Sequence, residues 1–297
     1  MRVRVPATSA NLGPGFDTFG LALALYDDVV VRVADDGLYV DVAGEGADKV
    51  PRNRRHLVVR ALYAGFDALG GQPHGLEVVC ANRIPHGRGL GSSAAAIVSG
   101  LVAARALVLG GEDVLNDVAL LALAAELEGH PDNVAACLLG GLTLAWTGAD
   151  GTAQALRLAP ASTLRPVVFV PSTTASTTRV RKLLPETVPH ADAAHNAGRA
   201  GLLMYALTNV AATSELLLLA TDDRLHQPYR AAAMPRSAAL MAALRTDGIP
   251  AVVSGAGPCV LALVPGERDV TGYKPRGWTV EDLPVDLDGA TLLSLAG

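Results

Sequence analysis

Pro85-His86-Gly87-Arg88-Gly89-Leu90-Gly91-Ser92-Ser93-Ala94-Ala95 is the stretch on which the reading of this chain turns. An apolar run, Leu76 to Ala81, precedes it and reads as a strand. Ala94 to Val98 follows and opens a helix of good helix formers that reaches about Leu109. A glycine-rich loop therefore joins a strand to a helix N-terminus. Gly87, Gly89 and Gly91 let the backbone take positive φ and come close to a ligand. Ser92 and Ser93 suit the helix cap, and their hydroxyls can also face a metal. The first amides of a helix lack intrahelical partners and carry partial positive charge, so they form an anion site. The stretch reads as a phosphate cradle.

Known phosphate loops narrow it. A Walker A loop needs a lysine after its last glycine, but Gly91 is followed by Ser92, and the only lysines are Lys49, Lys182 and Lys274. A dinucleotide fingerprint needs G-x-G-x-x-G, and Gly87-Arg88-Gly89-Leu90-Gly91 has its last spacing one short. The H-R-D and D-F-G signatures of protein kinases are absent. What remains, G-L-G-S-S-A-A after a proline, resembles the second motif of the GHMP kinases, the small-molecule kinases of galactose, homoserine, mevalonate and phosphomevalonate.

Bulk composition is that of a globular, helix-rich chain. At 297 residues the chain is long enough for about two domains with proper cores. Half the residues are apolar and few are aromatic, which excludes a disordered chain. The most apolar stretches, Ala94–Ala104 and Val118–Ala125, are shorter than the about 20 residues a membrane span needs. Met1 to Pro6 reads as a strand and not as a signal sequence, so a cytoplasmic location without a membrane partner is expected. A net charge of −5 and the absence of a lysine/arginine block argue against a nucleic-acid partner. Cys80, Cys137 and Cys259 lie far apart in apolar surroundings and read as buried free thiols.

Near the N-terminus, Arg2 to Val5 reads as a strand, followed by a long polar loop from Pro6 to Asp17. Loops of this length and composition are more often functional than a plain turn of about four residues. P-A-T-S-A-N-L-G-P-G-F-D is similar to the first motif of the homoserine-phosphorylating members of the GHMP kinases; mevalonate kinases begin instead with an A-P-G-K-type segment, which is absent. The resemblance implies that Asn11 and Asp17 hold the amino and hydroxyl end of homoserine, and an ammonium does need such oxygen acceptors.

Gly20–Leu25 and Asp28–Val33 read as two strands around Tyr26-Asp27, and Leu38–Val42 as another. Leu57–Leu69 has helical spacing, as does Asp113 to about Glu128, with Val114, Val118, Leu121 and Ala125 on its expected buried side. Glu126-Leu127-Glu128-Gly129-His130-Pro131-Asp132-Asn133 then gathers polar groups at one corner, where a helix breaks and another starts. Carboxylates at a helix C-terminus oppose its dipole at a cost of roughly 0.3–1 kcal/mol, which favours a cation there. By resemblance, Mg²⁺ is held by Glu128, with Glu126 as the alternate, and by Ser93; a hard cation with oxygen ligands suits the pair. Asp132 and Asn133 are the implied catalytic residues, Asn133 facing the substrate hydroxyl. An asparagine cannot take a proton at neutral pH, so transfer would proceed by positioning and charge stabilisation.

After Leu142–Thr147 and a turn at Ala149–Gly151, the domain boundary is expected near residues 150–165, and Arg165–Pro171 reads as the first strand beyond it. Ser176 to Pro185 resembles the family segment S-T-x-x-A-R-x-x-L-P, with Val180 where alanine is usual, and His226-Gln227-Pro228-Tyr229-Arg230 resembles H-x-P-Y-R. These segments imply that Arg181 and Arg230 bind the homoserine carboxylate, a match of guanidinium fork to carboxylate. Ala191–Leu207, Val210–Ala220 and Ser237–Arg245 read as helices. Ser254-Gly255-Ala256-Gly257-Pro258-Cys259 resembles the third family motif, with Cys259 in place of the usual hydroxyl residue and Gly255 and Gly257 in the substrate site. The tail, Gly277 to Gly297, supplies a last strand or two.

Taken together, the resemblance implies an α+β fold in two domains. Residues 1–160 would form a ribosomal-protein-S5-like N-terminal domain carrying the ATP loop Pro85–Ala95, and residues 161–297 a ferredoxin-like C-terminal domain. It implies ATP and Mg²⁺, L-homoserine as substrate in the cleft between the domains, a role in threonine synthesis, and a homodimer. A relative acting on mevalonate or a sugar would not need two arginines together with an ammonium acceptor. A purely nucleotide-binding protein on this fold would keep the loops and lack the metal carboxylate.

Overall fold

Two β-sheets and the helices packed on them carry the loops just described. The computed structural model describes residues 1–294, with Thr177 and Pro265 described by their backbone alone; the last three residues of the expected tail lie outside the described residues. The chain opens with β1 (Arg2–Ala10), β2 (Phe19–Ala34), β3 (Gly37–Gly44), α1 (Leu57–Ala68) and β4 (Gly75–Asn82). Next come α2 (Ser92–Leu107), α3 (Gly111–Val114), α4 (Asp117–Glu128), α5 (Asp132–Leu139), β5 (Leu142–Thr147) and β6 (Ala153–Leu158). β7 (Leu164–Pro171), α6 (Thr177–Arg181), α7 (His190–Thr208), α8 (Ser214–Ala220), α9 (Gln227–Arg230) and α10 (Pro235–Thr246) follow. The chain finishes with β8 (Ala251–Val253), β9 (Val260–Pro265), β10 (Trp278–Asp282) and β11 (Thr291–Leu293).

The first sheet has the order β11-β1-β2-β4-β3, with β5 and β6 attached along the other end of β2. Among the described residues, only β3 and β4 pair in parallel. The second sheet is antiparallel, in the order β10-β7-β9-β8. α2 is apolar on nearly every face (Ile97, Val98, Leu101 and Val102 are all buried), so it can sit as a central helix with α1, α4 and α5 around it and β1 beneath.

Several local expectations change. β1 continues through Pro6 to Ala10, so the functional loop is shorter than the twelve residues read as loop. Thr8 and Ser9 look like loop residues, yet both are fully buried in the strand, because partners across the fold satisfy their hydroxyls. β2 is one strand, not two. Its register against β1 shifts between Pro6, paired with Tyr26, and Ala7, paired with Leu23. A bulge of this kind absorbs a proline without ending the strand. The expected helix from Asp113 is two, because Asn116 stops one and caps the next by accepting from the Ala119 amide at 3.1 Å. Val114 and Val118, placed on its buried side, are 61% and 68% exposed; Leu121 and Ala125 are buried as expected, together with Leu120 and Ala124. β6 went unread.

The chain passes from the first sheet to the second between β6 and β7, at residues 158–164. It does not stay there. Val285 bridges Leu23, and β11 pairs with β1, so the tail returns to the first sheet. Asp286 fastens this return by accepting from the Tyr26 hydroxyl at 2.8 Å and the Gly289 amide at 2.7 Å.

Candidate active site

The loop between β4 and α2 is fixed from below by Asp27. Its buried Oδ1 accepts from the Arg83 amide at 2.6 Å and the Ile84 amide at 2.9 Å. Gly91 has φ +69° and caps α2; a Cβ there would run into the Thr8 hydroxyl. Gly89, at φ +81°, lies so close to the Ser254 carbonyl that a Cβ would collide with it. The Ser254 hydroxyl donates to the Gly89 carbonyl at 2.6 Å, joining the third-motif loop to the phosphate loop. Beyond Gly91, the amides of Ser92, Ser93 and Ala94 start α2 without intrahelical partners.

The loop residues divide by direction. Gly87, Gly89, Gly91, Ser92 and Ser93 line a cleft of about 150 Å³. His86, Ser92, Ser93 and Ala95 face an adjoining, more apolar pocket of about 280 Å³. Leu90 and Ala94 are core residues, and Pro85 and Arg88 point to the opposite side, where Arg88 approaches Glu45 at 3.7 Å. Val29, Val50 and Val58 form much of the apolar pocket, with His56 and Asn82 beside them. Sequence reading missed these residues. They are ordinary strand and helix positions, and nothing in their spacing marks a shared pocket.

Across the cleft from Ser93, Glu128 ends α4. The Ser93 hydroxyl donates to its Oε2 at 2.6 Å. Burial pushes the Glu128 carboxyl above its ordinary range, and the Ser93 hydrogen bond and the charge of His130 only partly offset this. Glu126 is exposed and does not line the cleft. Among the described residues no cluster of three or more His, Cys, Asp or Glu could hold an ion by itself. One carboxylate and one hydroxyl are the donor set expected where a magnesium ion takes its other oxygens from phosphates and water. The residues present fit that ion.

His130, Asp132 and Asn133 follow. The ring Nδ1 of His130 lies 2.7 Å from Oδ1 of Asp132, which also accepts the Asn133 amide at 2.8 Å. Burial opposes charge on His130, but its hydrogen bond to Asp132 and the carboxylates of Asp132, Glu128 and Asp17 outweigh it, so the imidazole holds its proton above the usual range. Asn133 lines the cleft; its Oδ1 accepts the Thr8 hydroxyl at 2.7 Å and its Nδ2 donates to Asp132 Oδ1 at 3.4 Å, which leaves the second amide hydrogen to give. Oriented this way, Asn133 is a donor.

The wall opposite the phosphate loop is built on Phe16. Its ring stacks on His226, with centroids 5.2 Å apart, and carries the guanidinium groups of Arg181 and Arg230 at 5.5 and 5.3 Å. Arg230 is 2% exposed, donates to the Gly255 carbonyl at 3.2 Å and to Nδ1 of His226 at 3.1 Å, and pairs with no carboxylate among the described residues. Its Nε is buried without a partner. Burial lowers the Arg230 pKa. Arg181 forms an ion pair with Asp17. Asn11 accepts the Asp17 amide at 2.9 Å and donates to the Gly255 carbonyl at 2.9 Å; Asn11 and Asp17 hold φ of +70° and +54°. Strained backbone of this kind gathers at functional sites. Gly255 lines the cleft, whereas Gly257 packs against Met234. Phe16 and His226 lie within motifs quoted from the sequence, but an apolar ring and a buried imidazole give no local sign that they support two arginines.

Chemically, the cleft sets an anion cradle and a metal-suited oxygen pair against two guanidinium groups, with a carboxylate and an amide donor between. Family models describe the N-terminal and C-terminal domains of GHMP kinases and match residues 56–141 and 203–271. A homoserine kinase of Streptomyces avermitilis is 62% identical over 298 aligned positions, covering 100% of this chain and 96% of that protein. Another, from Streptomyces coelicolor, is also 62% identical, covering 100% of this chain and 95% of that protein. Among solved structures, a homoserine kinase from Cytophaga hutchinsonii superposes with a TM-score of 0.86 at 26% identity, covering 99% of this chain and 97% of that one. A mevalonate kinase, 11% identical with a TM-score of 0.66 over 97% of this chain and 100% of that one, shares the fold alone.

Proposed function

The chain belongs to the GHMP kinases, and among them to the homoserine kinases, and we propose on that footing that it transfers the γ-phosphoryl group of ATP to the side-chain hydroxyl of L-homoserine. The observation that carries the substrate is Arg230: a guanidinium 2% exposed, with no carboxylate partner among the described residues, facing the cleft. A buried charge without a counter-charge is costly, so a ligand carboxylate is its natural complement. Mevalonate also carries a carboxylate, but Asp17 next to Arg181 supplies an ammonium acceptor that mevalonate would not use.

In this reading the amides of Ser92, Ser93 and Ala94 receive the nucleotide phosphates, and the pocket beside Val50 and Val58 receives the purine. Ser93 and Glu128 would hold Mg²⁺, which when bound neutralises charge on the phosphate oxygens. Arg230 and Arg181 clamp the homoserine carboxylate. Asn11 fixes Asp17, which accepts the ammonium. Asn133 donates to the substrate hydroxyl oxygen and orients it, while Asp132 holds Asn133 and His130 in place. His130, whose proton the neighbouring carboxylates hold more firmly than usual, adds positive charge beside the reacting groups when protonated.

No strong base is required. The transition state is loose, with little nucleophile deprotonation before transfer, so fixed geometry and charge dominate. A helix N-terminus supplies at most about 2 kcal/mol, whereas enzymes lower barriers by roughly 8–23 kcal/mol. The remaining charge stabilisation must come from the groups around the cradle.

The reaction belongs to threonine synthesis by resemblance, and on the same ground we place it in the cytoplasm and in a homodimer. No described helix is long and apolar enough to cross a membrane. The product tests the reading. Phosphorus NMR of a reaction with ATP and L-homoserine should show a phosphomonoester resonance split into a triplet by one neighbouring CH₂. An unsplit resonance would place phosphate on the carboxylate, and no new resonance at all would remove the proposal.

A further inference from the structure

Arg181 and Arg230 share one face of the cleft and one aromatic platform, yet they are held differently. Arg230 is fixed by neutral acceptors, the Gly255 carbonyl and the His226 ring, and no carboxylate among the described residues pairs with it. Arg181 is carried by α6, a five-residue helix capped by Ser176, and it is closed onto Asp17. Asp17 is in turn held by the Asn11 side chain and by a left-handed backbone. Both members of the pair line the cleft, with the Asp17 side chain 31% and the Arg181 side chain 41% exposed, so an entering ligand can reach each of them.

We infer that the Asp17–Arg181 ion pair is a specificity device, which keeps two recognition groups engaged with each other until a ligand carrying both an ammonium and a carboxylate replaces each partner. The inference rests on the homoserine-kinase reading and adds a mechanism of selection to it. Charge accounting gives the reason. A ligand with a carboxylate alone can reach Arg230 but must strip Arg181 from Asp17, leaving a half-buried carboxylate without a counter-charge. A ligand with an ammonium alone leaves the Arg181 guanidinium in the same position. A zwitterion exchanges one internal pair for two new ones and orphans nothing. Orphaned charges in a cleft cost more than surface ones, and burial already raises the Asp17 pKa against the opposing pull of Arg181. Selection therefore sits at Arg181, the arginine with a competitor, and not at Arg230.

Calorimetric titration of the full chain separates the cases. The ligands are L-homoserine, 4-hydroxybutanoate, which lacks the ammonium, and 3-amino-1-propanol, which lacks the carboxylate. In the wild type each analogue should bind at least about tenfold more weakly than homoserine. Asp17→Asn frees Arg181, so 4-hydroxybutanoate should bind about fivefold more tightly than to wild type while homoserine weakens. Arg181→Gln should do the converse for 3-amino-1-propanol. A merely structural role would weaken every ligand together. Because the two variants move different analogues, either alone can decide the matter if the other fails to fold. Homoserine binding by wild type with no gain for either analogue in its variant overturns the ion-pair exchange alone. No homoserine binding by wild type, with ATP present or absent, overturns the substrate reading beneath it.

Discussion

Ser93 and Glu128 stand 35 residues apart in the chain, and the serine hydroxyl reaches the carboxylate at 2.6 Å. One lies in the first turn of α2 and the other ends α4. Their meeting brings a negative side chain to the mouth of an anion cradle, where without a cation it would repel the phosphates the cradle is shaped to hold.

Glu128→Gln should therefore lower kcat by roughly a hundredfold and flatten its dependence on magnesium concentration. Glu126→Gln, on an exposed side chain outside the cleft, should stay within about twofold of wild type. Steady-state kinetics across a magnesium series checks both. Equal losses would move the ion to a site shared by the two carboxylates. Burial raises the Glu128 pKa in the metal-free cleft, so protons should compete with magnesium there and the magnesium requirement should rise on acidification.

Gly91→Ala places a methyl against the Thr8 hydroxyl at a residue whose φ is +69°. Left-handed backbone costs a non-glycine residue about 1–2 kcal/mol before any clash. The KM for ATP should rise by about tenfold or more, with a lowered melting temperature. An unchanged ATP KM would mean that phosphates do not approach this turn.

Phe16→Ala removes the ring under Arg181 and Arg230. Two cation–π contacts at about 0.5–1 kcal/mol each predict a rise of about tenfold in the homoserine KM. The ATP KM should barely change, and a matched rise in both would assign Phe16 to general cleft integrity.

His226 gives a pH test of stability. Burial, with Arg230 adding and Asp223 opposing, holds its pKa down to about 4, against an ordinary 6.5. Above pH 6.5 folded and unfolded chains both carry it neutral, so it exerts no effect there. As pH falls from 6.5 towards 4 the unfolded chain takes up the proton first, and stability is lost by on the order of 3 kcal/mol. Urea unfolding of wild type and His226→Gln at pH 7 and at pH 4.5 should show the smaller loss in the variant. Identical losses would refute a neutral, buried His226.

What could be read from the sequence is what the covalent chain keeps together. The three glycines and two serines of the phosphate loop are adjacent, and their meaning survives without a fold. Glu128 was preferable to Glu126 because it abuts the helix break at Gly129, where the structure puts it at the cleft. Asp27 was read only as a turn residue, since its task of holding the Arg83 and Ile84 amides spans 56 and 57 residues. Thr8 and Ser9 were read as loop because polar residues in a strand are expected to face water, and nothing local announces that Asn133 and Ser254 wait across the core. The return of β11 to β1 joins the two ends of the chain, and a three-residue strand carries no period by which to recognise it.

The central claim is tested most directly by ADP release from Mg-ATP with L-homoserine, mevalonate, galactose or no acceptor, on wild type and on Arg181→Ala. The account predicts release with homoserine alone, and in Arg181→Ala a homoserine KM raised by about tenfold or more while the ATP KM holds. Folded protein that binds ATP yet turns over none of the acceptors, or prefers another of them, would contradict it.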